Sequence, residues 1–216
     1  MRRFGHPTNR KAPFSIADLL FVLANIHAPR SHDELLFLAL LLMGFYALMR
    51  LGELVFPDKK SLRNYRKISL RHTVSISSTH YSFFLPSHKG DRIYEGNTVL
   101  VQKLTVDSDP YRHFLEYLNS RDLLFPLHPE LWLTSRGSVP TRHWFLSWLR
   151  KFFPKNYAGQ SIRSGGATSL AQTGADLATI QAVGRWSSAA FKIYIQKNPV
   201  LIHAILFGRP AHEPLD

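Results

Sequence analysis

The chain has 216 residues, 45% of them hydrophobic, so it can bury a sizeable core and is not a disordered segment. It carries 27 Lys and Arg against 15 Asp and Glu, a net charge of +12, which favours a polyanionic partner: nucleic acid first, an anionic membrane surface second. Cysteine is absent, which excludes disulfides, thiolate metal sites and a cysteine nucleophile, and fits a reducing compartment such as cytosol or nucleus.

Residues 1–13 are basic, with Pro7 and Pro13, and read as an extended arm without the apolar run of a secretory signal. Ser15 is the expected N-cap of a first helix over Ile16 to Ile26, which Pro29 stops. A polar link from Ser31 to Asp33 leads into the longest apolar run, Leu35 to Met49. Its fifteen residues fall short of the roughly 20 that span a bilayer. A central buried helix ending near Arg50 is the better reading, with Glu53 on the same face as Arg50 if the helix continues.

Beyond Pro57 comes a basic stretch with Lys59, Lys60, Arg63, Arg66, Lys67 and Arg71. Ile68, Leu70, Val74 and Ile76 alternate as in a strand, followed by strands at Tyr81 to Leu85 and Asn97 to Gln102. Ser87-His88-Lys89-Gly90-Asp91 reads as the turn between the last two, which sets Lys89 at a hairpin tip. Helices are expected over Tyr111 to Arg121 and His143 to Phe153. Short helices follow: Ser161 to Gln172, one capped by Asp176 and stopped by Gly184, one capped by Ser187 that carries Tyr194, and an apolar one from Pro199 to Phe207.

Several of these residues suit metal-free phosphodiester chemistry. Guanidinium groups of Arg50 and Arg163 are fitted to bind phosphate oxygens two at a time and to stabilise charge that builds on them. A lysine of lowered pKa, such as Lys89, can protonate a leaving oxygen, and a tyrosine such as Tyr194 can attack phosphorus. Taken singly, each has an ordinary explanation: a helix-end ion pair for Arg50 and Glu53, a solvated surface lysine for Lys89, core packing for Trp186 and Tyr194. Order and spacing decide.

Arg50 within Ala47-Leu48-Met49-Arg50-Leu51-Gly52-Glu53-Leu54 resembles the first arginine box of the tyrosine recombinases, the lambda-integrase family. Lys89 in a β-hairpin resembles their catalytic lysine, Gln160-Ser161-Ile162-Arg163 their His-x-x-Arg box, and Gly184-Arg185-Trp186 their Gly-His or Gly-Trp box. Tyr194 falls where the nucleophile belongs, and the Gly-Arg-Trp-Ser-Ser…Tyr-Ile form is similar to recombinases of eukaryotic, Crypton-like mobile elements.

This resemblance implies a mainly helical catalytic domain with a small antiparallel three-stranded sheet, here residues 14–208, followed by a tail at 209–216. Arg50 and Arg163 would clamp the scissile phosphate, Gln160 would stand beside them, and Trp186 would contact the phosphate and pack the site. Lys89 would protonate the 5′ oxygen, Tyr194 would form a 3′-phosphotyrosyl link, and Glu53 would support the clamp. No metal or nucleotide cofactor is implied. Lys59, Lys60, Arg63, Arg66, Lys67 and Arg185 are expected to contact double-stranded DNA. A homo-tetramer on DNA and a nuclear location are further implications, with Pro199 to Phe207 docking into a neighbouring subunit or packing on its own domain.

Three departures stand out. Gln160 replaces the usual His, so it can donate a hydrogen bond but cannot exchange a proton near neutral pH, and weakened chemistry is expected. Tyr194 lies eight residues after Trp186, about one fewer than in many relatives; either its helix is shifted or Arg185 fills the position given to Trp186. The usual N-terminal core-binding domain has no counterpart, so the chain is expected to be a fragment that binds DNA weakly and with strong salt dependence. Beside the recombinase stand two alternatives: a DNA-binding module of the same fold with lost or weak catalysis, and relaxation of supercoils as by a type IB topoisomerase. The 11 histidines are scattered, with no pair at a convincing metal-ligand spacing.

Overall fold

The computed structural model describes residues 13–86, 96–196 and 198–207. Most of the arm, Lys89 with the rest of the 87–95 connection, and the tail therefore lie outside the described residues.

Local capping sets the first two helices. Helix α1 spans Ile16–Ala24. Ser15 Oγ accepts from the Asp18 amide at 3.1 Å while the Asp18 carboxylate accepts from the Ser15 amide at 2.8 Å, a reciprocal cap. Helix α2, His32–Tyr46, repeats the device with Ser31 and Glu34. The segment expected to be a polar link is thus its cap and first turn. From Leu36 to Phe45 every residue of α2 is buried, as an all-apolar helix requires. It packs between α4, Pro110–Leu124, and α6, Gly159–Gln172.

Helix α2 does not run on to Arg50. It ends at Tyr46, Leu48 takes a left-handed φ of 48°, and Arg50 caps a separate short helix α3, Leu51–Leu54. The reason is tertiary: the fully buried Leu48 turns into a second apolar cluster with Ala167, Ile180, Trp186 and Leu201, away from the main core.

The sheet has order β1-β2-β3, with β1 Ser75–Ile76, β2 His80–Leu85 and β3 Asn97–Gln102, all antiparallel. Tyr81, Phe83, Leu85, Val99 and Val101 bury one face against the core, where Tyr81 stacks on Phe114 of α4 at 3.9 Å. The strand expected from Ile68 is shorter than its alternation suggested, because Arg71–Thr73 forms a 3-10 turn. Arg71 is anchored there by a fork to Asp122 at 2.7 to 3.0 Å, and its amide donates to Pro129 O at 2.7 Å. These bonds outweigh a weak local β preference. Leu70 makes only an isolated bridge to Glu130.

The remaining helices are α5 Arg142–Leu149, α7 Leu177–Gly184, α8 Ser188–Gln196 and α9 Pro199–Phe207. Asp176 caps α7 through the Thr179 amide at 2.7 Å. Helix α9 packs on α6 and α8 of its own chain, burying Leu201 and Ala204 and leaving Val200, Leu206 and Phe207 exposed. Among the described residues no helix is long and apolar enough to cross a membrane.

Candidate active site

The site forms where the break after α2, the start of α6 and the turn between α7 and α8 meet. Glu53 is its hub. Its Oε2 accepts from the Arg50 amide at 2.9 Å, and its Oε1 lies 2.9 Å from Arg50 Nη1. Arg185 Nη2 reaches Glu53 Oε2 at 3.5 Å from the opposite side and also donates to Ala47 O at 3.3 Å. Arg185 itself sits at φ 52°, the left-handed cap of α7, with Nη1 donating to Val183 O at 3.0 Å. Two non-glycine residues in left-handed backbone, Leu48 and Arg185, therefore brace one another across the site. Each such residue costs about 1–3 kcal/mol, and such strain collects at functional centres.

Arg163 projects from α6 and is only 6% exposed. Its Nη2 donates to Gly184 O, and its guanidinium carbon lies 4.2 Å from the Trp186 ring centroid. A desolvated cation over tryptophan contributes about 2 kcal/mol. Trp186 in turn lies 4.5 Å from the Tyr194 ring and 5.4 Å from Phe191, so it joins the arginine to the phenol. Gly184 permits this: a Cβ there would collide with the Trp186 ring.

Burial drives the electrostatics. It pulls Arg163 down to about 9, helped by the neighbouring charges of Arg50 and Arg185 and opposed by Glu53. Burial lowers Arg185 as well, again against Glu53. The Tyr194 phenol is pushed up to about 12 by burial, with the Arg163 charge working against the rise. Asn198 approaches this phenol, but its Oδ1 caps α9 through the Leu201 amide at 3.2 Å, and no hydrogen bond of normal geometry joins the two side chains. Arg163 Nη1, Arg185 Nε and Tyr194 Oη are all buried with no hydrogen-bond partner among the described residues. Three guanidinium groups gather here near one carboxylate, which pairs directly with Arg50 and Arg185. A single anion seated among them would restore the balance of charge.

Arg50, Glu53, Arg163, Trp186 and Tyr194 are thus brought together. Gln160 is exposed at the start of α6, one turn before Arg163. Lys89 belongs to the connection between β2 and β3 and lies outside the described residues. Lys59, Lys60, Arg66 and Lys67 are exposed on the 3-10 turns after α3, whereas Arg63 is tied back to Pro57 O and Asp58 O at 3.2 Å each. Arg185, grouped by sequence with the outer DNA contacts, lies at the centre instead. The signal for this was its spacing: it precedes Tyr194 by nine residues, one more than Trp186 does.

No protein-family model and no curated protein matches the chain. Solved structures do. XerA recombinase aligns with a TM-score of 0.64 at 16% identity, over 98% of this chain and 68% of XerA. XerH site-specific recombinase bound to difH substrate gives 0.60 at 15%, over 90% and 51%. The Tn1549 transposon integrase in complex with transposon right end DNA gives 0.54 at 16%, over 91% and 63%. The chain spans about half the length of the XerH chains it matches. The run of helices, the three-stranded antiparallel sheet and these superpositions agree: the chain has the tyrosine recombinase catalytic-domain fold.

Proposed function

We propose that this protein cleaves and rejoins double-stranded DNA through a covalent bond between Tyr194 and a 3′ phosphate, as the catalytic domain of a mobile-element recombinase. The observation that carries this reading is the pair of unpartnered buried atoms, Arg163 Nη1 and Tyr194 Oη, whose side chains both pack on Trp186. A phosphodiester there would take hydrogen bonds from Arg50 and Arg163; Tyr194 Oη, giving its proton to solvent, would bond to phosphorus as the bond to the 5′ oxygen breaks, and Lys89 would protonate that oxygen. Arg185 fills the position ahead of the nucleophile. It holds Glu53, and through Glu53 it holds Arg50. Assembly as a tetramer on DNA, with α9 leaving its own domain for a neighbour, belongs to the same reading; the exposed Leu206 and Phe207 favour it.

The direct test uses a nicked duplex, selected from a random pool for binding, in which cleavage frees a short strand that diffuses away. A labelled DNA–protein adduct resistant to denaturation is the expected result. Salt-sensitive binding without adduct would instead support a DNA-binding module that has lost turnover. The exposed glutamine at position 160, unable to exchange a proton, is what favours that second reading.

Two further results are expected. Inorganic phosphate at about ten times its Kd raises stability by about 1.4 kcal/mol, read as a rise in Tm, and Arg163→Ala removes the rise. An equal rise in that variant would place the anion elsewhere. Gln160→His restores a group that titrates near neutrality and is expected to speed adduct formation by about tenfold or more, with DNA affinity unchanged. A rate that does not move would take position 160 out of the chemistry.

A further inference from the structure

Every residue from Asp58 to Lys67 except Arg63 is exposed. Two of them are large and apolar, Leu62 and Tyr65, each 65% exposed. Exposed cations stand on both sides of this pair along the chain, Lys59 and Lys60 before it and Arg66 and Lys67 after it. The acid of the segment, Asp58, is engaged elsewhere, with Oδ1 accepting from the His143 amide at 2.6 Å.

The segment is braced although it is exposed. The amides of Leu62, Arg63 and Lys67 donate to Lys59 O, Lys60 O and Asn64 O at 3.0 to 3.1 Å. Arg63 is tied back to Pro57 O and Asp58 O, and the Tyr65 ring meets buried Phe56 edge-on at 5.0 Å. Phe56 is anchored in turn, its amide donating to Pro140 O and its carbonyl accepting from the Arg142 amide, both at 2.8 Å. Leu62 and Tyr65 are therefore carried on a firm ridge.

The composition of the ridge narrows its partner. The cations call for phosphates, and the leucine and the tyrosine ring gain by leaving water. A DNA duplex meets both demands, because its stacked bases lie behind its phosphates. An anionic membrane has the same layering, but the position of the ridge favours DNA: Leu62 and Lys67 line one cavity with Glu53, the hub of the arginine cluster.

We propose that Leu62 and Tyr65 form a wedge that enters one base step of the bound duplex and kinks it beside the scissile phosphate, while the flanking cations hold the backbone on either side. Apolar side chains inserted in this way bend DNA by about 20–90°. The inference rests on the DNA reading above, so the test separates the two. The bend is measured by energy transfer between dyes at the ends of the selected duplex, unnicked, at saturating protein. A 2-aminopurine placed at each step in turn is expected to brighten at one step, where stacking is lost. Leu62→Ser, which leaves the contact of Tyr65 with Phe56 in place, is expected to lose that signal and most of the bend, with affinity reduced by about tenfold or less and Tm unchanged. Tyr65→Phe is expected to keep both signals, because the ring and not the hydroxyl does the wedging. Lys59→Ala with Lys60→Ala is expected to keep the bend at saturation and to reduce the salt slope by about 2.

A duplex that the parent protein leaves straight, or that Leu62→Ser bends and unstacks equally, overturns the wedge and leaves the DNA reading intact. No binding of any duplex sinks both. Phosphatidylserine vesicles that bind the protein through Leu62, or a dimer of the free protein that Leu62→Ser dissociates, would give the ridge to another partner and overturn the proposal.

Discussion

Replacing Tyr194 by phenylalanine is expected to abolish the covalent DNA adduct completely while leaving DNA affinity within about twofold. The substitution removes only one oxygen. The ring stays 4.5 Å from Trp186 and keeps its place beside Phe191 in the second apolar cluster, so the fold has no reason to change. Stability is expected to hold or to rise by about 1 kcal/mol, because the phenol oxygen is buried without a partner and its desolvation is uncompensated. Denaturing gels report the adduct, and chemical denaturation reports the stability. An adduct that persists would assign the nucleophile to another residue. A loss of stability would show that the free protein already holds the phenol in a hydrogen bond.

Gly166→Ala is the substitution expected to cost the most. In an exposed helix interior, exchanging glycine for alanine stabilises by about 1 kcal/mol. In α6 the sign reverses, because a Cβ at Gly166 would drive into the backbone carbonyl of Phe45 at the end of α2. That neighbour is main chain within the most buried helix of the molecule and cannot swing aside. Overpacking of this kind costs about 3 kcal/mol or more. The same contact sets the seat of Arg163, less than one turn earlier on α6, so anion binding is expected to fall with stability. Thermal melting followed by circular dichroism decides the matter: a Tm equal to or above that of the parent protein would mean that α2 and α6 do not meet at this glycine.

Much of the fold could be read along the chain because it is written in local chemistry. Ser15 and Asp176 each hold the amides of the first turn that follows them. Asn198 and Pro199 open α9 in the same way. The strands at 80–85 and 97–102 follow from alternating side chains whose register was free to form without long-range help. The pieces that could not be read are those that distant residues override. Alternation from Ile68 to Ile76 suggested one strand, yet Arg71 is captured by Asp122, fifty-one positions away, and the backbone turns there.

The arginine cluster shows the same division. The resemblance to the tyrosine recombinases named Arg50, Lys89, Gln160, Arg163, Trp186 and Tyr194, with Glu53 in support, as one constellation suited to phosphate; the structure gathers Arg50, Glu53, Arg163, Trp186 and Tyr194, leaves Gln160 exposed, and Lys89 lies outside the described residues. Spacing alone left the positions of Arg185 and Trp186 open. In the tertiary structure Arg185 turns inward to Glu53 and the Ala47 carbonyl, and Trp186 packs against both the Arg163 guanidinium and the Tyr194 ring. The tertiary structure also decides that the long apolar helix stops at Tyr46. A helix continuing to Arg50 satisfies its own hydrogen bonds equally well. Only the burial of Leu48 in a second cluster and the long-range bond from Arg185 make the break the better state.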